Sequence, residues 1–318
     1  MYKRQWLNRA PFVEIIGNAG STDNEPAAAR YIKTRMTRVA DLITQDLAKD
    51  CVDMMPNFDN TEEEPVQLPA RVPVALINGA FGIAWGMGTN IAPHNPIELL
   101  DAAIALANDP DTPTEDLLSI MPGPDFASGC ELVDDGSCAT DEWNTGNARF
   151  TIRGKIREIE HVDFKDQRVL EIYQIPPKVK IESIVEQSEK ILVRYASHLK
   201  LSEISDASGD DVSILISFDK GVTDEQIEQA KSLIFSKTDM ETRWSVNNNL
   251  VHRGRVKAFS NREYLNAFLD YRRETLRKIY GTERKRMSDD LELTKACLLY
   301  TSDAADAGLG VDLGGRRI

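Results

Sequence analysis

A long helical pattern near the end of the chain places the strongest constraint on the fold. Ser260 and Glu263 have the spacing of a capping box, which opens a helix by satisfying its free backbone groups. Behind them, apolar residues recur at helical spacing without an interrupting proline: Tyr264, Leu265, Phe268, Leu269, Leu276, Ile279 and Tyr280. We expect a helix from Asn261 to about Leu293, longer than a typical globular helix and weakest at Gly281. Its aromatic and leucine positions suit a coiled-coil partner.

A glycine-punctuated segment from Gly17 to Tyr31 holds the most chemically suggestive residues. It leads to Pro26, which suits a first helical position, and then to three alanines that can pack close to a neighbouring backbone. The next residues alternate with a period of two, which predicts a strand: Ile32, Lys33, Thr34, Arg35 and Met36. We therefore place Arg30 and Tyr31 where a turn becomes a strand, among basic side chains.

The remaining patterns predict a mixed α+β fold. Helical signals lie at Thr37–Asp50, after an N-cap at Asn95, from a capping box at Thr112–Glu115 to Ile120, at Ile181–Leu199 and at Thr223–Phe235. Strand patterns lie at Val74–Ile77, Phe150–Ile159, Val169–Ile175 and Val212–Phe218. We expect the second and third of these strands to pair antiparallel.

Composition excludes several protein classes. The 42 % hydrophobic and 28 % charged content is that of a soluble globular protein, and no long apolar run or signal peptide is visible. We therefore expect a cytoplasmic protein without membrane insertion. Cys51, Cys130 and Cys138 lack CxxC spacing, so free thiols are favoured over a metal site or a disulfide.

The net charge of −13 is unusual for a nucleic-acid enzyme, but the charges are unevenly distributed. Val251–Asp290 contains eleven Lys/Arg against six Asp/Glu, and Arg30–Arg38 contains no acid. Because the local field governs a phosphate contact, DNA binding remains compatible with the total charge.

Six sequence blocks occur in an order that points to one family. They are Gly17–Ser21, Ala27–Tyr31, Pro56–Asp59, Glu64–Arg71, Asn78–Asn95 and Pro122–Phe126. Together they resemble the A subunits of bacterial type IIA DNA topoisomerases, which are those of gyrase and of topoisomerase IV. The resemblance extends to about Ala296.

The resemblance implies transesterification, in which Tyr31 attacks a DNA phosphodiester and becomes joined to the 5′ phosphate. It implies that Arg30 stabilises the charge that develops in the transition state. It also implies that Ile83 wedges between base pairs and bends the DNA, whereas without the resemblance a core isoleucine in a glycine-rich turn is preferred. The resemblance further implies a nucleoid-associated protein. Lys33, Arg35 and Arg71 are candidate DNA contacts, and Arg253 and Arg255 are further plausible phosphate contacts.

The resemblance also implies the cofactors and partners. Mg²⁺ and ATP would both be bound by a partner B subunit, and no local set of acids and histidines has metal-ligand spacing. The assembly would be A₂B₂, with a homodimer of A subunits working on double-stranded DNA. Cleavage by the isolated chain is not expected, since in the family a winged-helix region begins upstream and a gate ends downstream.

We expect five segments along the chain. Both ends, Met1–Gln5 and Cys297–Ile318, can be encoded by DNA resembling a transposase adapter used in sequencing libraries. The alternative is a genuine tail. Between them we expect the end of a winged-helix domain at residues 6–60, a tower domain at 61–259 and the first coiled-coil helix of an exit gate at 260–296.

Several alternatives stay open. The fold could serve a non-enzymatic DNA-bending or scaffold module, and the sequence does not separate gyrase from topoisomerase IV. Ile32 and Trp85 depart from the usual family pattern, which is compatible with a divergent or virus-borne member. His94 is expected to be structural rather than a catalytic base. Glu62–Glu64 is expected to be a solvated turn rather than a metal cluster.

Overall fold

The computed structural model describes residues 8–18, 20, 27–134, 136–160, 167–209 and 211–314, with side chains described as far as residue 300. Pro26, Ser21 and residues 1–7 lie outside the described residues. The strands are β1 (Val13–Ile16), β2 (Lys33–Met36), β3 (Met54–Pro56), β4 (Glu63–Pro65), β5 (Ala80–Ala84), β6 (Met87–Ile91), β7 (Glu131–Val133), β8 (Asn147–Arg153), β9 (Lys155–Ile159), β10 (Val169–Gln174), β11 (Leu201–Asp206), β12 (Ile214–Phe218), β13 (Glu241–Asn247), β14 (Asn249–His252) and β15 (Arg255–Ala258).

Helices alternate with these strands, so the predicted α+β class is confirmed. They are α1 (Arg38–Thr44), α2 (Val74–Asn78), α3 (Pro96–Asn108), α4 (Thr114–Ile120), α5 (Ser137–Thr145), α6 (Ile181–Leu199), α7 (Asp224–Lys237) and α8 (Asn261–Gly314). Single 3₁₀ turns occur at Ala29–Tyr31 and Leu47–Lys49. In the described part of the chain, no helix is both long and apolar enough to cross a membrane.

The chain divides into two compact units. Unit 1 comprises Met1–Leu42 and Val72–Leu269, and unit 2 comprises Ile43–Arg71 and Asp270–Ile318. Both are discontinuous in sequence. The winged-helix, tower and gate boundaries proposed from the sequence remain predictions.

Two larger sheets organise unit 1. A four-stranded antiparallel sheet has the order β11-β12-β10-β9, and α6 and α7 pack against it over a core that includes Ile172, Ile191 and Phe218. A five-stranded sheet has the order β5-β6-β13-β8-β7. Its core includes Phe150 and Ile152, while α2, α3 and α4 bury a neighbouring cluster around Leu99 and Trp143.

Local capping signals predicted several helix starts correctly. Asn95 accepts a hydrogen bond from the Ile97 N–H at 3.0 Å, and Thr223 forms a full capping box with Gln226. Ser260 and Glu263 bond reciprocally, at 3.1 Å and 3.3 Å. Helix α8 begins at Asn261 as predicted and continues through Gly281 to Gly314.

Two predictions at other helices were wrong. Thr112 is not a cap: its hydroxyl donates to the Asp109 carbonyl at 2.6 Å, and α4 begins after Pro113. The helix predicted for Thr37–Asp50 is shorter, because α1 ends at Thr44 and only a 3₁₀ turn follows.

The strand predicted at Val74–Ile77 is instead helix α2. Pro73 precedes its first residue and Gly79 follows its last. Leu76 and Ile77 are both buried, although alternation along a strand would place them on opposite faces. A short apolar run does not separate the two structures by periodicity, and here tertiary packing decides.

The strand predicted at Phe150–Ile159 is two strands in different sheets. β9 pairs antiparallel with β10 as expected, but β8 pairs with β13 and β7. Gly154 separates them, and a Cβ there would lie 2.5 Å from the Gln174 carbonyl oxygen. Its N–H donates to the Met240 carbonyl at 2.8 Å, so the break occurs where two backbones approach closely.

Candidate functional site

A small antiparallel hairpin carries Arg30 and Tyr31. β1 and β2 pair from Val13 opposite Met36 to Ile16 opposite Lys33. The 3₁₀ turn Ala29–Tyr31 directly precedes β2, with the Tyr31 N–H donating to the Ala28 carbonyl at 2.9 Å. The prediction that these residues lie where a turn becomes a strand is therefore confirmed.

Gly17 lets the chain pass close behind Tyr31. It has a φ of +121°, and a Cβ at this position would lie only 3.1 Å from the Tyr31 carbonyl oxygen. The loop is closed by the Ala27 N–H, which donates to the Asn18 carbonyl at 3.1 Å. The Asn18 side chain accepts from the Gly20 N–H at 2.9 Å. These contacts explain the Gly-Asn-x-Gly spacing and fix the backbone that presents Tyr31.

The side chains of Arg30 and Tyr31 face solvent and contact each other. Tyr31 is 68 % exposed, and its ring centroid lies 4.9 Å from the Arg30 guanidinium carbon. Arg30 is also exposed. A phenol and a cation thus lie together at an exposed surface.

The two basic residues of β2 differ in their partners. Lys33 is exposed at the strand end, opposite Ile16. Arg35 binds Glu14 across the hairpin, with its Nε 2.5 Å and its Nη2 2.8 Å from the two carboxylate oxygens. Hydrogen bonding to Arg35 lowers the pKa of the Glu14 carboxyl. A DNA contact by Arg35 would therefore compete with its ion pair to Glu14. DNA contacts by Lys33 and Arg35 stay predictions.

Arg71 lies in unit 2 and binds a buried carboxylate. Its Nε and Nη2 are 2.9 Å and 2.6 Å from the Asp46 oxygens, and Arg272 lies 2.9 Å from the same group. Lys49 adds a third cation at 3.3 Å. This geometry gives Arg71 a structural partner, and its predicted role at DNA remains untested.

Ile83 projects from a second hairpin, formed by β5 and β6. It pairs with Gly88, which offers no side chain to cover it, and it is 83 % exposed. The sequence alone favoured a buried isoleucine at this position, but the structure places an apolar side chain in solvent. Such exposure is what an apolar DNA wedge requires.

His94 is completely buried and is not accessible to a substrate in solvent. Its Nε2 lies 3.4 Å from a Glu142 carboxylate oxygen, and its Nδ1 lies 3.3 Å from the Leu76 carbonyl. Burial lowers the pKa of His94, but the Glu142 carboxylate and hydrogen bonds to the Leu76 and Ala92 backbone together raise it above its ordinary value. The structural role predicted for His94 agrees with this pairing.

Metal-binding side chains are not clustered in the part of the chain that the structure describes. No three His, Cys, Asp or Glu side chains there are grouped to hold a metal ion. Glu62–Glu64 forms an exposed turn and the start of β4. The described cysteines are free thiols: Cys51, Cys130, Cys138 and Cys297.

Sequence reasoning missed two charged residues that organise these surfaces. Asp46 was placed inside a regular helix, although it is a buried ion-pair centre. No role was predicted for Lys178, yet its Nζ lies 4.2 Å from the centroid of the Phe81 ring and 4.0 Å from that of the Trp244 ring. No local pattern marks either residue, because their partners are far away in sequence.

Comparison with known proteins identifies the same family as the six sequence blocks. The family described as the A subunit of DNA gyrase/topoisomerase IV matches residues 2–307. The DNA gyrase A subunit of Lawsonia intracellularis is 38 % identical over 270 residues, covering 84 % of this chain and 32 % of that protein. The DNA topoisomerase 4 A subunit of Caulobacter vibrioides is 35 % identical over 276 residues, covering 86 % and 36 %.

A plant relative extends the comparison. The chloroplastic/mitochondrial DNA gyrase A subunit of Nicotiana benthamiana is 37 % identical over 271 residues, covering 83 % of this chain and 28 % of that protein. The chain thus spans about a third of the length of these relatives. The chain belongs to the family of DNA gyrase/topoisomerase IV A subunits.

Proposed function

We propose that this chain is part of the DNA-breaking subunit of a type IIA topoisomerase and that Tyr31 forms a transient 5′-phosphotyrosyl bond. The observation that supports this most directly is the exposed Tyr31 in contact with the Arg30 guanidinium on a rigid turn. Family membership supports the same reaction class.

The reaction exchanges one phosphoester for another. The Tyr31 oxygen attacks phosphorus and its hydroxyl gives up a proton, while the bond from phosphorus to the 3′ oxygen breaks. The 3′ oxygen leaves with the bonding electrons and takes up a proton. Since bond energy is conserved, resealing by the reverse attack needs no external energy source.

Arg30 is suited to the charge that builds up during this exchange. A guanidinium placed in advance beside the equatorial phosphate oxygens stabilises the transition state without reorganising at the moment of reaction. Loss of one such contact costs about 2.7–4 kcal/mol in the barrier. An Arg30→Gln variant would therefore form the covalent bond about a hundredfold or more slowly.

Other described tyrosines fit the nucleophile role less well. Burial raises the pKa of Tyr264 to about 12, and the Tyr271 hydroxyl donates to the Leu68 carbonyl. Tyr173 also has an arginine over its ring, but that Arg157 is bound to Glu171 at 2.6 Å. Tyr195 has the exposed Arg194 over its ring, but Tyr195 itself is only partly exposed. Exposure together with an available cation thus favours Tyr31 over these four tyrosines.

Cofactors and partners follow from the family. The proposal assigns Mg²⁺ and ATP to a partner B subunit in an A₂B₂ assembly working on double-stranded DNA. The absence of a three-ligand cluster among the described residues gives no basis for placing the metal on this chain alone.

The test is covalent trapping of DNA. The substrate is a duplex in which sulfur replaces the 3′ bridging oxygen at the break, and it is mixed with the chain and a B subunit. The sulfur is a better leaving group than oxygen, and the resulting thiol reseals the break slowly. Mass spectrometry after nuclease digestion should place the nucleotide on Tyr31. Tyr31→Phe should give no adduct, while Tyr280→Phe, which changes another exposed tyrosine, should behave as wild type. An adduct on Tyr31→Phe, or on any other side chain, would contradict the proposal.

A second candidate, a DNA-bending module without turnover, draws support from the exposed apolar hairpin around Ile83. It predicts DNA bending by both wild type and Tyr31→Phe, with no covalent adduct from either. Bending measured by fluorescence energy transfer across a labelled duplex, alongside the trapping experiment, separates the two functions.

A further inference from the structure

The tip of the β5–β6 hairpin exposes a tryptophan that nothing in the described chain covers. Trp85 is fully exposed, in the two-residue turn between Ala84 and Met87. Gly86 completes the turn with a φ of +77°, and a Cβ there would meet nothing within 4 Å. Tryptophan is highly buried on average, so complete exposure of its large apolar surface indicates a contact surface.

This tryptophan continues an apolar edge along the hairpin. Phe81 and Ile83 lie two residues apart and share one face of β5, and both are exposed. Met87 starts the returning strand and is also exposed. Ile83 and Trp85 therefore form the outermost pair of apolar side chains, two residues apart at the hairpin end.

Contacts hold the hairpin from Phe81 near its base up to Gly88, which pairs with Ile83, and leave Trp85 in the turn fully exposed. Lys178 lies between the rings of Phe81 and Trp244. The Asn249 side chain donates to the Gly88 carbonyl at 2.9 Å, and the Thr89 hydroxyl donates to the Asn247 carbonyl at 3.2 Å. A fixed base positions the tip before binding, which lowers the entropy cost of inserting it into a partner.

The hairpin carries no acidic charge that would repel a polyanion. The chain carries a net charge of −13, yet no Asp or Glu occurs between Glu64 and Glu98, the interval that contains the whole hairpin. Lys178 adds a cation near the hairpin base. An apolar tip on an acid-free segment suits a polyanion with stacked apolar bases better than it suits a second copy of this acidic chain.

We propose that Trp85 is a second DNA-contacting residue of the hairpin, stacking its indole ring against the nucleotide next to the base step that Ile83 opens. This inference rests on the proposed function. It adds an aromatic stacking contact to the aliphatic wedge, because an unstacked base offers its face to a neighbouring ring. The partner is duplex DNA at the bend.

Tryptophan emission and duplex binding test the inference together. The full chain is titrated with a short DNA duplex while binding is followed by anisotropy and indole emission. Wild-type emission should be quenched on binding, and Trp85→Phe should lose most of that change while keeping its affinity within about twofold. Trp85→Ala should bind about tenfold more weakly, since alanine removes a stacked ring. Val193→Ala, which changes an equally exposed residue on α6, should match wild type.

The outcomes separate this inference from the proposed function. If Trp85→Ala binds the duplex with unchanged affinity, the role of Trp85 is overturned. The same holds if the emission of Trp85→Phe is quenched as strongly as that of wild type. Neither result would overturn the proposed function. A loss of self-association in Trp85→Ala without DNA, seen by sedimentation, would show that a second copy covers the tip and would also overturn it. Failure of the wild-type chain to bind any duplex would overturn both.

Discussion

Asp46 shows how one residue can organise unit 2. Its side chain is completely buried, and Arg71, Arg272 and Lys49 surround it. Its backbone carbonyl accepts a hydrogen bond from the Cys51 thiol at 3.1 Å. A buried charge is tolerated only when it is paired and hydrogen-bonded, and all of these requirements are met here.

Asp46→Asn should therefore destabilise unit 2 by about 1–3 kcal/mol, because it removes the charge to which the partly exposed Arg71 and Arg272 are hydrogen-bonded. Urea denaturation at neutral pH, followed by circular dichroism, measures the change. Asp50→Asn is the matched control: Asp50 pairs with Arg286 at 2.7 Å, but both side chains are mostly exposed. Such surface pairs contribute about 0–1 kcal/mol. Equal midpoints for the two variants would contradict a structural role for the Asp46 cluster.

The pH dependence of this effect has a definite sign. Hydrogen bonds from Arg71 hold the pKa of Asp46 well below its usual range. A carboxyl whose pKa is depressed by folding stabilises the protein above its unfolded pKa, near about 3.9, and loses that stabilisation as the pH falls toward the folded value. The difference between wild type and Asp46→Asn should thus be constant from about pH 8 to pH 5 and shrink below about pH 4.

At the scale of elements, glycines mark the places where backbones meet. Gly146 ends α5 with a φ of +72°, and a Cβ there would lie 1.9 Å from the Phe259 carbonyl oxygen. Its own carbonyl accepts from the Asn248 N–H at 3.0 Å. The end of α5 is thus packed directly against the segment that leads into α8.

Gly146→Ala should be far more destabilising than Gly254→Ala. Gly254 also has a positive φ, +75°, but a Cβ there meets nothing within 4 Å. The Gly254 change therefore measures left-handed strain alone, about 1–2 kcal/mol, while the Gly146 change adds a backbone collision. Denaturation midpoints of the two variants make the comparison. Similar losses would show that α5 can shift to relieve the contact.

At the scale of the whole molecule, the uneven distribution of charge reconciles an acidic protein with the proposed DNA contacts. No Asp or Glu occurs between Glu25 and Asp41, the interval that holds Arg30 and Tyr31, although the net charge is −13. The β5–β6 hairpin, which also contains no acid, lies in the same unit as Arg30 and Tyr31. DNA should therefore bind through a few local contacts rather than through the total charge.

Salt dependence of duplex binding measures those local contacts. The logarithm of the binding constant falls with the logarithm of salt concentration by about 0.9 per phosphate contacted. Lys33→Gln should reduce that slope by about one contact, and Arg35→Gln should reduce it less because Glu14 already binds Arg35. Lys190→Gln, at an exposed position on α6, is the control. An unchanged slope for Lys33→Gln would remove Lys33 from the interface.

Much of this outcome was predictable from local pattern. The position of Arg30 and Tyr31 at a turn before a strand followed from the alanines and the alternation, and α6, α7 and the start of α8 followed from helical spacing and caps. The site roles rested instead on block order within a family. Without the family, a buried Ile83 in a glycine-rich turn was preferred, and Trp85 stood out only as a departure from the family pattern.

The sequence by itself determined the α+β class, the capped helices, the Arg30–Tyr31 turn and the family, because these depend on residues close together in the chain or on motifs in fixed order. Only the tertiary structure decided that Val74–Ile77 is helical, that Gly154 splits one predicted strand between two sheets, and that Asp46 is a buried ion-pair centre. Those features depend on partners far away in sequence. Packing and desolvation at such contacts override local preference, and no local pattern records them.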